Sequence, residues 1–213
     1  MKNIYLFGIG VSLFLSSCGG SEETQELSSD QTIENCIYTY NPALTKLDWT
    51  AFKFLRKAGV PGTFTTINVE GAKSGANPKS IIESLSFSIP VNSVETNDPG
   101  RNKKIDSLFF GKLNNTALLS GKVVSLGDNG KAILLVTMND ISNEVEGDYT
   151  LNDNVFTFNT EINVERWNAQ SGIKSLNEAC KDLHTDVENG DTESKLWSEV
   201  TISFSTELTK RCN

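Results

Sequence analysis

The feature that most constrains this chain is a period-2 alternation of apolar and polar residues that recurs along most of its length. Its clearest case is near the C-terminus. Val200, Ile202, Phe204, Thr206 and Leu208 fall on one face, and Thr201, Ser203, Ser205 and Glu207 on the other. Successive side chains on a strand point to opposite faces, so this pattern reads as half-buried β-structure. Leu47–Phe54 is a first strand, and Phe64–Val69 follows an expected turn at Val60-Pro61-Gly62. Ile81, Glu83, Leu85, Phe87, Ile89 and Val91 alternate with Ile82, Ser84, Ser86, Ser88, Pro90 and Asn92, which predicts a strand over 81–91. Further strands are predicted at 117–126, 131–139, 144–151, 155–164 and 200–208. Gly127-Asp128-Asn129-Gly130 and Asn152-Asp153-Asn154 supply turn residues that tolerate positive φ. Eight strands with short antiparallel connections give an all-β barrel or sandwich. Two stretches break the alternation with helical spacing: 102–113, through Ile105, Leu108 and Phe109, and 175–187, through Leu176, Ala179, Cys180 and Leu183. No internal repeat is evident.

The first residues follow a different logic. Lys2 provides a positive start, and Ile4–Leu15 is apolar except for glycines and one serine. The run fits the apolar region of a signal peptide and is too short for a membrane span, which needs about 20 apolar residues. Leu15-Ser16-Ser17-Cys18-Gly19 then resembles the lipobox of bacterial lipoproteins: an aliphatic, two small residues, the cysteine and a small residue. The resemblance implies that residues 1–17 are removed, and that Cys18 is lipidated and becomes the first mature residue. Each buried acyl carbon adds about 0.8 kcal/mol, so two or three chains make a stable anchor. Residues 18–45, rich in Ser, Glu, Gln and Thr, read as a lipidated tether, and 46–213 as one folded domain. The location expected is the cell envelope, anchored by lipid to the outer membrane. Glu22 and Glu23, just behind the anchor, resemble export signals to its outer face.

The formal charge is −8, and loss of Lys2 makes the mature chain more acidic still. An acidic domain with dispersed Lys and Arg is a poor match for nucleic acid or for electrostatic docking on anionic lipid. Of four cysteines, lipidation takes Cys18 and leaves Cys36, Cys180 and Cys212. Outside the cytoplasm one disulfide can form among them, with one thiol left over. Three pairings are open; Cys36–Cys212 is favoured because it would staple the two ends of the domain.

Several dispersed segments resemble the YceI-like family, in a branch often carried by lipoproteins. They are Trp49 ahead of Gly59-Val60-Pro61-Gly62-Thr63-Phe64; Val91–Thr96 running into Gly100-Arg101-Asn102-Lys103-Lys104-Ile105-Asp106 and Leu108-Phe109-Phe110; and Ser175–Cys180, Leu183-His184 and Trp197-Ser198-Glu199-Val200. Asn102 stands where many members carry an acid. The resemblance spans about residues 45–210. It implies an eight-stranded antiparallel lipocalin-like barrel with one or two short helices and an elongated apolar pocket. It further implies binding without catalysis, with a polyisoprenoid or quinone-like lipid as the bound molecule and no other cofactor. The expected partners are that apolar small molecule and the membrane through the anchor; a homodimer is left open.

The candidate ligand-binding residues are Trp49, Phe87, Ile89, Leu134, Val136, Phe158, Ile202 and Phe204, with Arg101 at a mouth or head group. Packed core is the competing reading for each apolar one, and a solid barrel serving as a structural or interaction protein of the envelope is the alternative function. Cys180 and His184, four apart, could face one metal ion, but no second histidine or spaced cysteine pair supports them, so no metal site is assigned. The acids Asp186, Glu188, Asp191 and Glu193 lack the glycine turn and closing glutamate of an EF-hand and read as a solvated loop. There is no Gly-x-Ser-x-Gly elbow, and no Gly-rich phosphate loop follows a strand. A serine hydrolase would have to use His184, the only histidine.

Overall fold

The computed structural model describes residues 35–213. The expected signal peptide, Cys18 and most of the expected tether lie outside the described residues. The thirteen strands among them are β1 (Cys36–Thr39), β2 (Thr45–Lys53), β3 (Ala58–Phe64), β4 (Asn68–Glu70), β5 (Ser74–Gly75), β6 (Ser86–Pro90), β7 (Val94–Glu95), β8 (Leu118–Leu126), β9 (Lys131–Met138), β10 (Ile141–Asn152), β11 (Val155–Asn163), β12 (Leu196–Glu207) and β13 (Thr209–Cys212). Three α-helices interrupt them: α1 (Pro78–Glu83), α2 (Pro99–Lys104) and α3 (Gln170–Ala179).

Ten of the strands form one antiparallel sheet in the order β4-β6-β8-β9-β10-β11-β12-β2-β3-β7. Its two ends are halves of the same hairpin. β4 continues β3 after three residues, and β7 continues β6 after three. Thr63 pairs with Glu95 and Phe64 with Val94, while Asn68 pairs with Ser88 and Val69 with Phe87. The gap between these pairings is bridged by Thr65 N donating to Ser93 O (2.9 Å). The ten segments are therefore eight barrel strands, and the sheet closes on itself through these short pairings, leaving an edge where β3 has no second neighbour.

Period-2 patterning survives closure. Leu47, Trp49 and Ala51 on β2, Phe156, Phe158 and Ile162 on β11, and Val200, Ile202 and Phe204 on β12 all face the lumen, because each lines a cavity or the buried core. A bulge between Val123 and Ser125 keeps Leu126 inward after Val123 has also pointed inward.

Four sequence expectations change. Val60-Pro61-Gly62 is part of β3 and not a turn; Pro61 sits opposite Thr50 where β3 has no strand on its other side, so the missing N–H costs no ladder bond. The strand predicted over 81–91 is α1 followed by β6. Asn77 caps α1 through its side chain to Lys79 N and Ser80 N, Pro78 opens it, and Ile81 and Ile82 are both buried. The helix expected over 102–113 begins at Pro99, where Asp98 Oδ1 accepts from Arg101 N (3.0 Å), and widens into one π-helical turn at Ile105–Phe109. The helix expected over 175–187 is α3 at 170–179 with short 3₁₀ turns after it.

The tether boundary also moves. β1, well before residue 46, pairs with β13 and β5 in a separate three-stranded sheet, and Cys36 is disulfide-bonded to Cys212 with their Cα atoms 4.0 Å apart. Tyr38 and Tyr40 are buried beside Ile81, Ile82 and Leu208. The Tyr40 hydroxyl bonds Thr45 Oγ1 (2.8 Å), which bonds the buried Thr206 Oγ1 (2.9 Å), so each of these three hydroxyls has a partner. This small sheet and α1 close one end of the barrel. The other end is covered by α2, the π-helical turn and α3.

Candidate functional site

The interior is not filled. A cavity of about 380 Å³ lies beneath the helical end, and a second of about 150 Å³ lies deeper, toward the closed end. They share Leu119, Ile162 and Ile202, so the two volumes abut along the same wall. The larger falls in the range of roughly 300–1,000 Å³ typical of small-molecule sites.

All nine candidate residues line one or both cavities. Trp49 and Arg101 line the outer, Ile202 both, and Phe87, Ile89, Leu134, Val136, Phe158 and Phe204 the inner. The lumen stays open because three of its aromatic rings lie flat along the wall instead of across it. Trp49 is paired with Gly62, Phe87 with Gly121, and Phe158 lies diagonally over Gly147; a Cβ at any of these glycines would overlap the ring. Each glycine thus makes room on the wall for a ring from the next strand. The Trp49 indole is fixed there by donating to Thr63 O (3.2 Å).

Sequence reasoning missed several lining residues. Leu119 and Ile162 were in phase with the inward faces of their strands and could have been found. Ile105, Phe109, Ile173 and Leu176 arrive on the π-helical turn and α3, and a helix dropped over a barrel mouth leaves no mark in strand periodicity. Gly172 lets α3 approach Phe109 closely, since a Cβ there would meet the Phe109 ring and carbonyl. Phe109 meets Phe110 edge-on (4.9 Å between centroids), Phe110 meets Phe64 (6.3 Å), and Phe64 meets Trp49 (6.4 Å), an aromatic series joining the helical cover to the wall.

The two cavities differ in polarity. The inner one is lined by carbon apart from Ser86 and Thr160. The outer one carries Lys53, Arg101, Lys104, Asp98, His184 and the thiol of Cys180. Lys53 Nζ donates to Leu183 O (2.9 Å); burial, with Arg101 and Arg56 close by, holds it below the usual lysine range. Arg101 pairs weakly with Asp98 (3.7 Å). Asn102 accepts from Thr96 N (2.9 Å) and Thr96 Oγ1 (2.7 Å) and donates to Glu95 (3.1 Å), which fixes the bend leading into α2.

His184 is buried, and its Nδ1 faces Asn177 Oδ1 at 2.9 Å. Asn177 Nδ2 donates to Ser194, which assigns its oxygen to the imidazole and the ring proton to Nδ1. Burial first, then Lys53 and Lys104, bring the imidazole down to about 4, so it is neutral near pH 7. An amide, not a carboxylate, stands behind the ring, which removes the triad a serine hydrolase would need. Among the described residues no group of three or more His, Cys, Asp or Glu could hold a metal ion. The acidic 186–193 segment is more ordered than a solvated loop. Asp191 is buried and accepts from Leu55 N (3.2 Å) and Asp186 N (3.0 Å), while Asp186 pairs with Arg56 (2.6 Å).

The model of the YceI-like domain matches residues 38–208. The chain belongs to the YceI-like family. Among solved structures, this YceI-like chain is similar to a polyisoprenoid binding domain from Saccharophagus degradans implicated in plant cell wall breakdown, at 12% identity and a TM-score of 0.56, covering 84% of this chain and 99% of that one. It is also similar to BcnA of Burkholderia cenocepacia, at 14% identity and a TM-score of 0.51, covering 81% and 99%. At such identities these likenesses establish the fold of the YceI-like domain and no more. No curated protein matches it by sequence.

Proposed function

We propose that this protein is a lipid carrier or store of the bacterial envelope that holds one slender apolar chain, of the polyisoprenoid class, inside its barrel. The observation that carries the reading is the unfilled lumen: two abutting cavities, the inner one almost wholly apolar, kept open by rings folded onto glycines. Each carbon moved from water into such a lumen contributes about 0.8 kcal/mol, so a chain of a few prenyl units binds usefully with no catalytic group. The likeness to a polyisoprenoid binding domain supports the choice of chain. No enzymatic step is part of this proposal. Lipidation at Cys18 would tether the barrel to the outer membrane, where such lipids are within reach.

Two measurements test it. Native mass spectrometry and organic extraction of protein made in its own host should release an isoprenoid lipid in near-stoichiometric amount. Ile202 lies between the cavities, so Ile202→Trp should abolish retention while the thermal transition survives. Empty protein from the host, or an Ile202→Trp variant that keeps its lipid, would sink the reading. Metabolic labelling with a palmitate analogue should mark the wild-type chain and not Cys18→Ser.

A further inference from the structure

The outer cavity carries a nucleophile that an apolar chain does not require. Cys180 is the free cysteine among the described residues, since Cys36 and Cys212 are bridged. It caps the C-terminal end of α3, is 6% exposed and lines the cavity. Its side chain is therefore shut off from bulk solvent and open to whatever enters the lumen. Two polar groups share that wall. Lys53 lies within electrostatic reach of the thiol. Its Nζ donates to Leu183 O (2.9 Å) and sits over the Phe54 ring (4.3 Å), which leaves one of an ammonium's three N–H donors uncommitted. His184 follows one turn later, its N donating to Cys180 O (3.0 Å), and is 9% exposed. With the ring proton on Nδ1 toward Asn177, Nε2 is the acceptor left for the cavity, and no donor among the described residues meets it. Buried polar atoms are as a rule satisfied, so the bare Nε2 points to a bound molecule that supplies a donor.

We propose that Cys180 is a covalent capture site for apolar molecules that carry an α,β-unsaturated carbonyl group, such as long-chain enals. The sulfur adds to the β-carbon while the free N–H of Lys53 donates to the carbonyl oxygen, where negative charge develops. A C–S bond forms, the C=C bond becomes single, and the thiol proton ends on the α-carbon. Nothing is oxidised or reduced, and no group leaves. An enol hydroxyl formed on the way is a donor of the kind Nε2 of His184 lacks. Because the thiol is reached through the cavity, the lumen wall selects the reagent: a long apolar tail is held there and a short one is not. The inference rests on the reading that the lumen admits an apolar chain.

The test incubates the full chain with conjugated trans-hexadecenal or with crotonaldehyde, which share the reactive group and differ in the tail. Adduct in the Cys180 peptide is timed by mass spectrometry after borohydride reduction, and each rate is divided by that of glutathione with the same enal. Confinement beside the thiol replaces a bimolecular encounter, so hexadecenal should be faster by roughly tenfold or more on this scale. Excess hexadecanol, which has the tail and no electrophile, should suppress the reaction. Lys53→Gln should slow it several-fold, Lys53→Arg should restore most of the rate, and thermal melts check that both variants fold. No adduct, equal normalised rates for the two enals, an adduct on Lys53 in place of Cys180, or indifference to hexadecanol overturns the capture site. If hexadecanol still binds in calorimetric titration, the apolar-chain reading survives that result. If neither hexadecanol nor hexadecenal binds, both fall.

Discussion

The two ends of the barrel were built by different means. The closed end is covalent and well satisfied: a disulfide, a three-stranded sheet, a run of tyrosine and threonine hydroxyls, and α1 buried through Ile81 and Ile82. The helical end is looser chemically. It places lysines, an arginine, a neutral histidine and a thiol around the larger cavity, and its surroundings expose Leu183 at 57% and Val187 at 74%. The contrast teaches that covalent closure and the charged lining of the cavity have been separated along the barrel axis. One end ties β1 to β13 through the disulfide, and the other gathers the charged and titratable groups around the larger cavity.

Four changes would break or sharpen that contrast. The largest effect should come from the closed end. Cys36→Ser with Cys212→Ser opens a loop spanning most of the domain, and the chain-entropy model gives a loss of about 3–5 kcal/mol, readable as a lower midpoint in chemical denaturation. Ligand retention at low temperature should persist. If it vanishes with the disulfide, the two ends are not separable.

Gly121→Ala should come next, because the added Cβ would overlap both the Leu135 carbonyl and the Phe87 ring, straining the β8–β9 ladder as well as pushing the ring toward the inner cavity. Overpacking of this kind costs about 1–3 kcal/mol. Thermal melts should show the loss, and a long prenyl chain should lose more affinity than a short one. Equal losses for both lengths would mean that the inner cavity holds no tail.

His184 probes the helical end. Its folded basicity lies below the unfolded value of 6.5, so protonation favours unfolding. The stabilising contribution is complete above about pH 6.5 and is lost as pH falls toward 4. After allowance for solvent screening the loss is about 1–2 kcal/mol. It should appear as a drop in denaturation midpoint between pH 7 and pH 4.5 that His184→Gln diminishes. As the only histidine, it can also be titrated directly by proton NMR, and a midpoint near 6.5 would contradict the buried, cation-flanked placement.

The smallest effect should be at Arg56→Ala, which removes the solvent-exposed partner of Asp186 while Asp186 keeps its hydrogen bond from Asn189. An exposed pair is worth about 0–1 kcal/mol. A larger shift in the melting transition would show that Asp191 depends on this pair to hold the β2–β3 turn through Leu55.

Much of the wall was legible before the structure. Leu134 and Val136, Phe158, and Ile202 and Phe204 were all readable as one face of alternating segments, because a strand writes its two faces into the sequence at every second residue. The misreadings came where local pattern and tertiary context diverge. Ile81 and Ile82 satisfy a strand alternation only in part; Asn77 and Pro78 provide a helix start, and burial of both isoleucines at the closed end selects the helix. Pro61 reads as a turn residue yet sits in β3, because the barrel leaves that stretch without a second neighbour.

The sequence by itself determined the alternation, the acidic balance, the cysteine complement and the dispersed YceI-like segments, hence an antiparallel barrel. Each of these is a local or additive property of the chain. Only the tertiary structure decided that the barrel is hollow, that Lys53 joins Arg101 and Lys104 at one cavity, and that His184 is held neutral. A void depends on which ring meets which glycine on the neighbouring strand, as Trp49 meets Gly62 and Phe87 meets Gly121. A charge cluster likewise depends on bringing β2 and α2 together across about 50 residues of chain, a distance no sequence periodicity records.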